Sequence, residues 1–149
     1  MKLSLTGRLL VTGKISLEFP SEYKYLNLVD ALCNGIIRDI ELDPKTATEI
    51  AVSVIEACTN ALEHGNKSNP AVNVRVLFMW DKNRFAVEVY DCGEGFDYRE
   101  YMKNIPDPSD IDHIRGRGIF IMKEMMDSLS FEFSDNEGMK VTLEKVISG

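Results

Sequence analysis

The chain has 149 residues, with 24 acidic and 17 basic side chains and a formal charge of −7. That length fits one domain, and 44 % hydrophobic residues supply a core, which excludes a disordered tail or a fibrous repeat. An acidic chain with scattered Lys and Arg lacks the basic field that nucleic acid or an anionic membrane requires, so proteins or small ligands are the expected partners.

Cys33, Cys58 and Cys92 form no CxxC pair, and His64 and His113 stand apart from any metal-type spacing, which argues against structural zinc or a disulfide framework. Cys58 and Cys92 are expected as small packing groups. The opening MKLSLTGRLLVTGK breaks its apolar run at Gly7 and Arg8, too early for a signal peptide, and no membrane-length apolar stretch follows. A reducing cytoplasm is the expected compartment.

In chain order, alternation at 14–19 predicts a strand closed by Pro20. Residues 22–42 carry Tyr25, Leu28, Val29, Leu32, Ile36 and Ile40 at near-helical spacing. Asp43-Pro44 is a helix-start signal, an N-cap side chain followed by a proline at N1, and the second helix runs to about His64 before Gly65 and Asn69-Pro70 end it. Segments 71–79 and 84–90 predict an antiparallel hairpin around Asp81-Lys82-Asn83. Residues 96–117 keep no periodicity and read as a long loop, a length usually reserved for function. A third helix follows through Ile119, Met122, Met125 and Met126, and 129–134 with 138–146 form a closing hairpin. With no repeating strand–helix–strand unit, the expected fold is an α+β two-layer sandwich: a mixed, mostly antiparallel sheet with helices on one face.

Three short patterns carry chemistry. On the apolar second helix, Glu56, Asn60 and Glu63 line one face at i, i+4 and i+7. Asn60 offers an oxygen to Mg²⁺ and Glu56 can accept a proton; the alternative is a plain solvent-exposed face with Ile50, Val54 and Ala57 toward the core. Asp91-Cys92-Gly93-Glu94-Gly95 ends a strand, where Asp91 can accept a hydrogen bond from an exocyclic amine and Gly93 and Gly95 permit close approach; an ordinary Asx-capped turn is the alternative. Gly116-Arg117-Gly118 opens the third helix, a phosphate-type site to which Arg115 or Arg117 adds charge, unless it is simply a flexible loop.

In this order, IEACTNALEHGN (55–66), DCGEGFD (91–97) and GRGIFIM (116–122) closely resemble the superfamily of gyrase, heat-shock chaperone, histidine kinase and mismatch-repair ATPases. Within it the chain resembles the small bacterial anti-sigma regulatory serine/threonine kinases. The resemblance covers the chain from about residue 14 and implies the histidine kinase-like ATPase fold. It implies Glu56 as general base, Asn60 as Mg²⁺ ligand and Asp91 as the adenine-binding carboxylate. Gly93, Gly95, Gly116 and Gly118, with Arg115 and Arg117, would surround ATP, and 96–115 would be its lid. It further implies a kinase that phosphorylates a serine on a small antagonist protein and holds a sigma factor. The alternative is a non-catalytic anti-sigma or switch module. The expected organisation is one ATP-binding domain at 14–149, with residues 1–13 an extension that adds an edge strand or contributes to a homodimer. A histidine-kinase fragment is not expected, because residues 1–13 cannot supply a dimerising helical hairpin.

Overall fold

The computed structural model describes residues 12–93 and 114–147. Five strands form one sheet in the order β1-β2-β3-β5-β4: β1 Gly13–Pro20, β2 Asn73–Trp80, β3 Arg84–Tyr90, β4 Ser128–Ser134 and β5 Gly138–Val146. All four described pairings are antiparallel. Three helices, α1 Leu26–Asp39, α2 Pro44–Asn60 and α3 Ile114–Met125, complete the α+β architecture.

The sequence explains most of these boundaries. Asp43 caps α2, its carboxylate accepting the Thr46 N–H at 3.0 Å, and Pro44 occupies the first turn, where no N–H is needed. Asp81 closes the β2–β3 hairpin by accepting the N–H groups of Asn83 and Arg84 at 2.7 and 2.8 Å. The first helix is shorter than its apolar pattern: a 3-10 turn at Tyr23–Tyr25 precedes it, and Glu41, in the left-handed region at φ 58°, ends it.

The core lies between the helices and one sheet face. Ile50, Val54, Ala57 and Cys58 of α2 are fully buried there with Val76, Phe78, Phe85 and Val87 from the sheet. Met122 and Met126 fill the same core, as their spacing suggests. Trp80, half-buried, stacks on Phe85 with ring centroids 6.4 Å apart. Lys145 of β5 pairs with Glu49 of α2 and donates to the Met125 carbonyl at the end of α3, tying both helices to the sheet.

The third helix already includes Ile114, the first residue described after 93, so the expected opening at Gly116 is corrected: the helix is formed before that glycine. Gly116 and Gly118 lie within helix. Residues 94–113, which hold Gly95 and most of the expected loop and lid, lie outside the described residues, as do residues 1–11.

Gly138 opens β5 at φ 87°, and a Cβ there would overlap the Asp91 main-chain carbonyl. Gly138→Ala should cost about 1–3 kcal/mol, read as a lower urea midpoint at unchanged slope.

Candidate active site

The site begins with the polar face of α2. Glu56 and Asn60 stand one turn apart, neither fully exposed nor fully buried, because α3 crosses above them. A Cβ built on Gly118 would stand 2.8 Å from Glu56 Oε2 and 3.4 Å from Asn60 Nδ2. The absent side chain is what lets the α3 backbone approach the carboxylate and the amide together. The plain solvent-exposed alternative for this face therefore does not describe it, although Ile50, Val54 and Ala57 do face the core.

Electrostatics single out Glu56. Burial pushes its carboxyl above the ordinary carboxylate range, the Arg117 guanidinium opposes that rise, and the Glu63 carboxylate adds to it. Arg117 itself is exposed. Glu63 is held by the Tyr23 hydroxyl, which donates to its carboxylate from the turn before α1. Removing the Glu63 charge eases ionisation of Glu56, so Glu63→Gln should move the acidic limb of any Glu56-dependent rate profile to lower pH, checked by the pH dependence of kcat.

Beyond Asn60 the helix widens into a π turn, Ala61–Gly65, in which the Asn66 N–H reaches the Ala61 carbonyl at 2.8 Å. Such turns re-aim the residues that follow, and here they deliver Gly65 and Asn66 to the end of β3. Asp91, 7 % exposed, follows β3 with its N–H bonded to the Met139 carbonyl at 3.0 Å. Gly65 lies directly against the Asp91 carboxylate, and a Cβ on Gly65 would overlap it. Gly93 packs in turn on the Gly65 carbonyl.

Buried Asn66 stitches this junction. Its Oδ1 accepts the Cys92 N–H at 2.8 Å, while its Nδ2 donates to Ser21 Oγ at 3.0 Å and to the Asn73 carbonyl at 3.1 Å. The Gly93 N–H donates to Asp91 Oδ1 at 2.8 Å, so the ordinary Asx turn is present and itself fixes the orientation of the carboxylate. Cys92 is exposed, which corrects its expected packing role; Cys33 and Cys58 are buried, with the Cys58 thiol pushed above its ordinary value by burial.

Glu56, Asn60, Arg117 and Gly118 thus form one group, and Asp91, Gly93, Gly65 and Asn66 a second, joined through the π turn only five residues beyond Asn60. Arg115 and Gly116 lie within α3. Gly65 and Asn66 were missed as site residues: sequence reads a helix stop there, and the available signal was a Gly-Asn pair directly after the polar helix face. Among the described residues no His, Cys, Asp or Glu cluster of metal-binding type occurs, and no helix is long and apolar enough to cross a membrane.

A carboxylate and an amide beneath a glycine-bearing helix start, beside a glycine-backed aspartate, define a class. The histidine kinase-like ATPase domain model matches residues 19–145, and the chain belongs to that family. More particularly, it is similar along most of its length to serine-protein kinases RsbW. It is 26 % identical to that of Bacillus velezensis over 140 residues, covering 91 % of this chain and 86 % of the relative. It is 24 % identical to that of Bacillus subtilis over 140 residues, with the same coverages. The Bacillus licheniformis protein is 24 % identical over 139 residues, covering 90 % of this chain and 86 % of its own.

Proposed function

We propose that the chain is an ATP-dependent serine/threonine kinase that phosphorylates a small antagonist protein and holds a sigma factor in a cytoplasmic partner-switching circuit. The shared identity of its relatives as serine-protein kinases supports the kinase role; the antagonist and the sigma factor follow from the family resemblance. The observation that carries the reading is the placing of the Gly118 backbone over Glu56 and Asn60, a cradle that a single Cβ would fill.

The residues fit the nucleotide. Asp91, oriented by Gly93 and backed by Gly65, would accept the exocyclic amine of adenine. Gly93, Gly95, Gly116 and Gly118 would let backbone approach the ligand, with Arg115 and Arg117 adding positive charge near the phosphates. Asn60 would hold Mg²⁺, which when bound neutralises phosphate charge.

Glu56 takes the proton from the incoming serine hydroxyl. The serine oxygen then bonds to the γ-phosphorus as the β–γ bridging bond breaks and ADP leaves. Its raised affinity for a proton suits that task, and the Arg117 guanidinium opposes part of the rise that burial causes.

The test is transfer of radiolabelled γ-phosphate from ATP·Mg²⁺ to small antagonist proteins shown to bind this chain. Label on a serine is the expected result. Nucleotide binding with no label on a bound antagonist would replace the kinase reading by a nucleotide-dependent sequestering module.

A further inference from the structure

The backbone on both sides of Asp91 is pinned. Its own N–H is bonded to the Met139 carbonyl at 3.0 Å, which fixes the peptide before its Cα. The peptide after its Cα is held at both ends: the Cys92 N–H donates to Asn66 Oδ1 at 2.8 Å, and the Asp91 carbonyl lies so close to Gly138 that a Cβ there would overlap it. With both peptide planes set, φ and ψ of Asp91 are set, and the direction of its Cα–Cβ bond follows. Gly65 then walls one side of the carboxylate, and the Gly93 N–H holds Oδ1 at 2.8 Å. Each of these restraints is main chain or glycine except Asn66, which acts through its side chain.

We propose that Asn66 is the positioning residue for base selection: it sets Asp91 in place before the nucleotide arrives, and so gives the site its preference for a purine with an exocyclic amine. This rests on the adenine role proposed above for Asp91. The junction needs an amide. One acceptor is required toward the Cys92 N–H, and two donors toward Ser21 Oγ and the Asn73 carbonyl, at 3.0 and 3.1 Å. Ser21 Oγ gives its own proton to the Val72 carbonyl at 2.6 Å, so toward Asn66 it accepts, and that decides which end of the amide faces Cys92. A carboxylate would bring no donor, a hydroxyl only one, and leucine neither donor nor acceptor. Asn66 is 6 % exposed and Ser21 1 %, so a lost partner leaves a buried polar group unpaired.

An acceptor already in position loses little freedom when the amine arrives, so its contribution to affinity is specific to that amine. Truncating Asn66 releases the Asp91–Cys92 peptide, and the carboxylate then meets the amine off line, where a hydrogen bond weakens steeply. The phosphate end of the ligand is served by a separate group, Glu56, Asn60 and Gly118, which Asn66 does not touch. The loss therefore falls on recognition of the amine, and appears in KM for ATP more than in kcat.

Calorimetric titration with ATP and with purine riboside triphosphate, which differs from ATP only in lacking the exocyclic amine, tests this in the native chain, Asn66→Ala and Ser21→Ala. The native chain should bind ATP at least about tenfold more tightly than the analogue, as expected for a hydrogen bond to a charged acceptor. In Asn66→Ala the affinity for ATP should fall at least about tenfold and that for the analogue no more than about twofold. Ser21→Ala removes one partner of the same amide but keeps the Cys92 contact, so it should lower Tm and retain the native preference. Equal weakening of both nucleotides by Asn66→Ala, or weakening of neither, would overturn the proposal and leave the ATP reading standing. A native chain that binds neither nucleotide, or both alike, would overturn the adenine role of Asp91 and the proposal with it. If Asn66→Ala does not fold, amide hydrogen exchange in the native chain decides. By reciprocity the Cys92 N–H should exchange at least about tenfold more slowly with ATP bound than with the analogue bound, and equal rates overturn the proposal.

Discussion

Glu56→Gln should lower phosphoryl transfer by about 10²–10⁴-fold, the range typical for loss of a positioned general base, while nucleotide affinity stays within a few-fold of native. The substitution keeps the shape of the side chain beneath Gly118 and removes only its capacity to take a proton. The native rate should rise with pH through the elevated Glu56 value, because the ionised carboxylate is the active form, and that limb should vanish from the residual activity of the variant. Stability should move the other way. Burial raises the Glu56 value in the folded state, so ionised Glu56 opposes folding above its unfolded-state value, and the neutral amide should leave Tm unchanged or raise it near pH 7. Transfer kinetics, nucleotide titration calorimetry and thermal melts on the same samples check all three. Transfer retained within tenfold would reassign Glu56 from base to positioning residue.

Much of this architecture is legible from local chemistry. The Asp43 cap, the Asp81 turn and the alternation of β1 act over a few residues, so propensity and pattern locate them. The run Val76-Leu77-Phe78-Met79 in β2 lacks alternation, a mark of burial on both faces, and the structure buries all four. What was not legible depends on distant partners. The π turn after Asn60 is stabilised where Asn66 meets Cys92, 26 residues further on, and no helical periodicity encodes that. Gly65 reads as a stop signal until Asp91 is seen against it. Gly116 and Gly118 look like helix breakers, which places the start of α3 too late; packing on α2 overrides their weak propensity. Glu56 and Asn60 could be picked out as a pair, but whether they faced water or another helix required the position of Gly118.

Gly118 separates function from stability most sharply. It is the fifth residue of α3, where alanine is intrinsically favoured over glycine by about 0.5–1 kcal/mol, so Gly118→Ala should fold at least as readily as the native chain. The new methyl, however, would stand 2.8 Å from Glu56 Oε2, inside contact distance, and 3.4 Å from Asn60 Nδ2. The tip of a glutamate gives way more easily than a helix backbone, so the carboxylate rotates and α3 stays. Fold is thereby preserved at the expense of the position of the base. A displacement of about 1 Å at a reacting group can cost about 10²-fold in rate, and that loss is expected here with Tm unchanged or raised. Steady-state transfer rates beside thermal melts measure both. A variant that lost cooperative unfolding along with activity would make Gly118 a packing residue, and full activity would show that the close approach of α3 to Glu56 plays no part in the chemistry.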